Sequence, residues 1–310
     1  HRPPPPMSSP DFLLTNLELR HSNPDGTEGE GLSHKTGGIG GAGLVLVRVL
    51  ELAPPMDKLV DGEPVGAAIV AHDIGDHGAR YEELAVALAN AGWMVTLPDL
   101  RGHGGSEGER GHVPGLPEPV RDIHKMREHV AYRMPDAKSV VIGIGAGALY
   151  AMAYAKAHSE EVGGLVLVAP MTAPKFDLPK KKGGLMGMLK KVGPTSPGSI
   201  GWRAEDLCAD GAAASAWQSD SKRGDVVTLG AGEAIAAAVT EAPAGLAELG
   251  KPILVLAGSD DPIAKASEVE ALATKIGAEY RCFDGRRHDL IRDAGGDEVI
   301  AAIVAWLTTV

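Results

Sequence analysis

Ser139-Val140-Val141-Ile142-Gly143-Ile144-Gly145-Ala146-Gly147-Ala148-Leu149 is the stretch that decides the fold. Its first half is a short apolar, β-branched run, the pattern of a strand covered on both faces. Its middle places glycine at every second position, which lets the backbone turn where a side chain would collide. Its end runs into an apolar segment, Ala148 to His158, with the length of a helix. Strand, tight turn and helix follow one another within about twenty residues, the unit from which open α/β sheets are built.

The same alternation continues on both sides. Upstream, Ala67 to Ala71 reads as a buried strand, followed by a helix with Tyr81, Leu84 and Leu88 on one face and Gly92 past its end. Trp93 to Leu97 is the next strand, and Val120, Ile123, Met126 and Val130 mark a second helix. Downstream, strands are expected at Gly164–Ala169, Ile253–Ala257 and Glu279–Phe283. Helices carry Val269, Leu272 and Ile276, then Ile300, Ile303, Val304 and Leu307 at i, i+3, i+4 and i+7. Strands alternating with helices predict a mainly parallel sheet covered on both faces. Two further strands are expected near the start, Phe12 to Leu19 and Leu44 to Leu52, with no internal repeat anywhere.

Three parts follow: a Pro- and Gly-rich arm over residues 1–43, an α/β core over 44–170 and 246–310, and an irregular insertion over 171–245. Apolar residues make up 44% of the 310 but aromatics only 4%, so the core is built from Ala, Val, Leu and Ile. The net charge of −11 argues against a nucleic-acid binder, which needs clustered Lys and Arg to neutralise phosphates. Cys208 and Cys282 lie far apart and match no metal spacing, so no metal and no cofactor is expected. No apolar run approaches the roughly 20 residues of a membrane span. The sequence begins at His1 without a methionine. Either it is a fragment, or an upstream targeting peptide has been removed and the protein works in an organelle.

Gly143-x-Gly145-x-x-Ala148 after a strand also fits the dinucleotide fingerprint. That motif wants an acidic residue at the end of the next strand, which here ends in Ala169-Pro170. It also normally opens its domain, whereas this turn follows several strands. Nucleotide binding is not the expectation.

Four ordered segments together resemble the monoacylglycerol-lipase-like (serine-aminopeptidase-like) branch of the α/β-hydrolases. His72-Asp73-Ile74-Gly75-Asp76-His77-Gly78-Ala79-Arg80-Tyr81 is similar to that family's oxyanion loop, and Pro98-Asp99-Leu100-Arg101-Gly102-His103-Gly104-Gly105-Ser106 to its signature loop. Gly258-Ser259-Asp260-Asp261-Pro262 resembles the acid loop and Gly285-Arg286-Arg287-His288-Asp289 the histidine loop. The resemblance implies an α/β-hydrolase fold with a cap over residues 171–245. It makes Asp261 the triad acid and His288 the base, which a nucleophilic serine would complete. That serine is missing. The family's Gly-His-Ser-Met-Gly-Gly is here Gly143-Ile144-Gly145-Ala146-Gly147-Ala148, leaving Gly145 at the nucleophile's position. The family's His-Gly is here His72-Asp73, so a carboxylate lies in the oxyanion loop, for which Ile74 and Ala146 complete the residues, and opposes the charge that acyl transfer develops.

Several plainer roles compete with these. His288 alone reads as a surface histidine, and Asp260 competes with Asp261. Ser106 and Ser259 are the nearest substitute nucleophiles, although their loops usually tie serines into backbone hydrogen bonds. His72, His77 and His103 are expected to gather near His288 at the sheet's C-terminal edge, as hydrogen-bonding groups rather than metal ligands. In the insertion, Pro179-Lys180-Lys181-Lys182-Gly183-Gly184-Leu185-Met186-Gly187-Met188-Leu189-Lys190-Lys191 suits an acidic partner or an anionic membrane surface, or is a solvated loop. The first expectation is therefore a catalytically silent α/β-hydrolase kept as a binding or assembly subunit, with a protein partner or larger complex contacted through the arm and the cap lysines. Both regions are expected to be protease-sensitive. The alternatives are a divergent hydrolase using His288 and Asp261 without a serine, and a small-molecule sensor.

Overall fold

The computed structural model describes residues 13–20, 44–131, 134, 137, 139–180 and 192–310. Eight strands form one sheet: β1 (Leu13–Arg20), β2 (Leu44–Leu52), β3 (Gly66–Ala71), β4 (Trp93–Pro98), β5 (Ser139–Ile144), β6 (Val162–Val168), then Ile253–Gly258 and Glu279–Phe283. Their spatial order is β1-β2-β4-β3-β5-β6 followed by those last two. The β1/β2 hairpin and the β2/β4 pair are antiparallel, and every other pair in the sheet is parallel. Among the described residues the first strand runs over Leu13–Arg20, one residue past the expected Leu19, and the second matches its expected bounds.

Burial explains why these runs become strands. β3, β4, β5 and Ile253–Gly258 are buried at every position, which only a doubly covered sheet allows. One layer of cover comes from α1 (Glu82–Asn90), which buries Leu84, Ala85, Leu88 and Ala89. Helix α2 (Pro117–Ala131) buries Ile123, Met126 and Val130, the residues whose spacing predicted it. Helix α3 (Ala146–Ala157) is buried on all sides from Ala146 to Ala155, so it runs through the core with no solvent face. Its alanines let neighbouring chain pack closely. Truncating Leu165, on the sheet face that Gly143 turns toward α3, to alanine removes core volume worth about 2–5 kcal/mol.

The lysine-bearing stretch 181–191 and the arm outside residues 13–20 lie outside the described residues. The rest of the insertion divides in two. Pro197–Ser199 and Val226–Thr228 pair as a small antiparallel sheet, with the helix Gly211–Ser219 between them. The helix Leu229–Glu241, unforeseen in the sequence, turns Ala231, Ile235 and Ala238 into the main core. Only the first part covers the sheet's carboxyl edge. There the loops after β3, β5, Ile253–Gly258 and Glu279–Phe283 converge, the usual position for a site in an open α/β sheet.

Candidate functional site

Gly145 joins β5 to α3 with φ 56° and ψ −117°, a left-handed conformation that costs glycine little and other residues more. Its neighbours are glycines for a different reason. A β-carbon at Gly143 would strike Ala148, and one at Gly147 would strike the carbonyl of Ala71. The turn thus keeps the tight geometry of a nucleophile elbow without a nucleophile.

The carboxyl of Asp73 fills the space. A β-carbon built on Gly145 would overlap Asp73 Cγ and both its oxygens. Asp73 Oδ1 accepts hydrogen bonds from the backbone N–H of Ile74 and of Ala146, each at 2.7 Å. Those are the two donors that the oxyanion-loop resemblance assigns, so the hole is formed and already holds an anion. Asp73 Oδ2 lies 3.1 Å from His288 Nε2. On the far side of the ring, His288 Nδ1 meets Asp261 Oδ2 at 2.8 Å. Asp261 is fixed in turn through Oδ1 by the backbone N–H of Ile263 at 2.7 Å and of Ala264 at 2.9 Å. Asp73, His288 and Asp261 form a continuous buried line, and Asp260 is not part of it: its Oδ1 instead accepts from Ser259 Oγ.

Burial lowers the pKa of His288, but the Asp261 and Asp73 carboxylates outweigh it and raise the imidazole to about 10. At neutral pH the ring is a cation between two anions. Trp202 packs edge-on against it, ring centroids 5.3 Å apart.

The other histidines do not gather around His288. His72 donates from Nδ1 to the carbonyl of Asp73 at 2.7 Å and accepts the Leu100 N–H at Nε2, 2.8 Å away. Burial lowers its pKa, so it is a neutral strut that holds the Asp73 backbone. His103 packs against His72 and donates to the Arg101 carbonyl; burial pushes its pKa down to about 3. His77 pairs with Asp220 at 2.8 Å. Each has a structural partner other than His288. Ser106 is similarly engaged, donating to the Asp99 carbonyl and accepting from the Arg48 N–H. Ser259 donates to Asp260 and accepts from the Gly285 N–H. Among the described residues, one group has the composition of a metal site, His124, His158 and Glu161, remote from the Asp73 line. The two imidazoles stack 4.0 Å apart and nearly parallel, so their lone pairs run side by side rather than converging.

Sequence reading assigned no role to Arg80. It is buried, and its guanidinium pairs with Asp76 (2.9 Å), with Asp220 (3.8 Å) and with Asp289. Burial lowers its pKa, but those carboxylates raise it further. One arginine therefore ties the oxyanion loop, the cap and the histidine loop together. An arginine beside aspartates spaced along the motif loops was the available signal. Above Asp73 and His288 lies a small recess open to solvent, with Ile74, Ile144, Ile200, Trp202 and Trp217 among its lining residues.

Residues 62–295 match the sequence profile of the serine aminopeptidase S33 hydrolases. The chain belongs to that family. A monoacylglycerol lipase of Mycolicibacterium smegmatis is 24% identical over 285 residues, covering 89% of this chain and 96% of the lipase. Human monoglyceride lipase is 33% identical over 110 residues, 36% of each chain. Among solved structures, the Paleococcus ferrophilus monoacylglycerol lipase superposes with a TM-score of 0.71 at 24% identity, covering 85% of this chain and 98% of that one. The α/β-hydrolase fold is thereby shown. Among the described residues no helix is long and apolar enough to cross a membrane.

Proposed function

We propose that this S33-family chain has given up ester hydrolysis and serves as a binding or assembly subunit built on a lipase scaffold. The observation that carries this is the Asp73 carboxyl, which takes both the space of the missing nucleophile and the hydrogen bonds of the oxyanion hole. An ester carbonyl entering this site meets no serine, no free donor pair and a negative charge where its own would form. The unaltered chain should leave monoacylglycerols and p-nitrophenyl esters uncleaved and should not react with a fluorophosphonate. In a triad protease, loss of the nucleophile alone costs roughly 10⁶-fold in turnover. Isolation from the native source with its co-eluting proteins is the positive test. Recovery of the chain alone, together with ester turnover at ordinary enzyme rates, overturns the assignment.

A second activity is favoured by one specific feature. His288 and Asp261 keep an unbroken line to Asp73 beneath a partly apolar recess, a costly arrangement of buried charge for a scaffold with no chemistry. On that reading the chain is a divergent hydrolase working without serine. Use of the recess for small-molecule sensing is the third option, distinguished by binding without turnover.

A further inference from the structure

We propose that Asp73 is a carboxylate nucleophile, and that the recess hydrates small apolar epoxides through a covalent Asp73 ester. The proposal rests on the divergent-hydrolase reading and names its nucleophile and substrate class.

The orientation of the carboxyl leads to it. Oδ1 is held by the Ile74 and Ala146 N–H groups, while Oδ2 faces His288, and both residues line the recess. If Oδ2 becomes alkylated, Oδ1 becomes an ester carbonyl oxygen already seated in two donors. Water adding to Cγ would then put its negative charge on the one atom those donors hold. The hole is therefore placed to hydrolyse an ester of Asp73 itself, although it has no room for the carbonyl of an incoming ester. The electrophile must be one that a carboxylate opens at saturated carbon, with no carbonyl oxyanion that would need the occupied hole.

Proton accounting selects an epoxide over an alkyl halide. In the first step the Oδ2–carbon bond forms, the ring carbon–oxygen bond breaks, and the alkoxide takes the proton from His288 Nε2. The imidazole is left neutral, as a base must be. In the second step water adds its oxygen to Cγ and gives one proton to Nε2. Collapse breaks the Cγ–Oδ2 bond, and the departing alkoxide takes the other water proton. The sum is epoxide plus water to diol, with Asp73 and protonated His288 restored. Halide departure consumes no proton and would leave His288 charged and unable to activate water. Ile74, Ile144, Ile200, Trp202 and Trp217 suit an apolar substituent on the ring.

The test uses the full chain and styrene oxide in oxygen-18 water, with protein in excess so that each molecule turns over once. Unlabelled diol, with a single oxygen-18 in the carboxyl of Asp73, is the expected result. His288→Gln, which can neither protonate the alkoxide nor activate water, should release no diol, and Asp73→Asn should give neither diol nor adduct. The measurement on the unaltered chain does not depend on either variant folding. Oxygen-18 in the diol with Asp73 unlabelled would overturn the nucleophile while leaving a His288–Asp261 hydrolase standing. No diol and no adduct would overturn the proposal, leaving the binding function as the surviving account.

Discussion

The carboxyl of Asp73 occupies the space that any side chain at Gly145 would need, although the two residues are far apart in sequence. The damage at this site is therefore concerted: a missing serine and an added carboxylate fit each other. The elbow itself is intact, since Gly145 keeps its left-handed conformation. Loss of strained geometry is not what separates this turn from a working one.

Gly145→Ser alone should destabilise the fold. The new side chain meets the Asp73 carboxyl in a close-packed site and also has a positive φ, which together cost about 1–3 kcal/mol or more. Adding Asp73→Gly removes the collision and should recover part of the loss. Urea unfolding of the two variants beside the unaltered chain checks the order.

Replacing Asp73 should expose what its carboxyl satisfies. Asp73→Ala leaves the N–H groups of Ile74 and Ala146 without their acceptor in a buried site, at a cost of about 1–3 kcal/mol. Asp73→Asn keeps an oxygen for the hole and should lose less. Both remove one of the two carboxylates that raise His288, so the imidazole should titrate at lower pH than in the unaltered chain. Ring proton shifts in NMR report this directly.

Stability should fall at alkaline pH. The folded pKa of His288 is raised to about 10 from 6.5, so the folded chain holds a proton that the unfolded chain releases. This contribution is complete below 6.5 and is lost as pH rises through 10, at about 1.4 kcal/mol per pH unit in between. Urea midpoints across that window should decline, and His288→Gln should flatten the slope.

Arg80→Ala should be among the more damaging single changes, by about 3–5 kcal/mol, because it strands the buried Asp289 together with the half-buried Asp76 and Asp220. Arg80→Lys should rescue only part, since an ammonium cannot span Asp76, Asp220 and Asp289 in the same plane. Thermal unfolding of both variants measures it.

The sheet was legible because its central strands are buried on both faces, and such runs are apolar at nearly every position, as in Val140-Val141-Ile142. Helix α2 was legible because Ile123, Met126 and Val130 recur at helical spacing against polar neighbours. The helix Leu229–Glu241 was not: its core face is largely alanine and glycine, and its outer face is alanine too, so there is little contrast to read. At the site, motif order and spacing pointed to Asp261 and His288, and a carboxylate in the oxyanion loop was visible as a conflict. Its direction was not visible. Nothing in His72-Asp73-Ile74 says that the side chain turns back into the two N–H groups rather than out to solvent. Arg80 was missed because its partners come from three separated segments.

Fluorophosphonate labelling of the unaltered chain, Gly145→Ser and Gly145→Ser/Asp73→Gly, with turnover of a short-chain ester on the same samples, tests the central claim most directly. If Asp73 blocks both the serine position and the oxyanion hole, only the double variant is labelled and active. It should exceed the single variant by at least about 100-fold, the usual effect of one oxyanion donor. Labelling and turnover of Gly145→Ser alone at the level of the double variant would show that the hole is free, and would contradict the account.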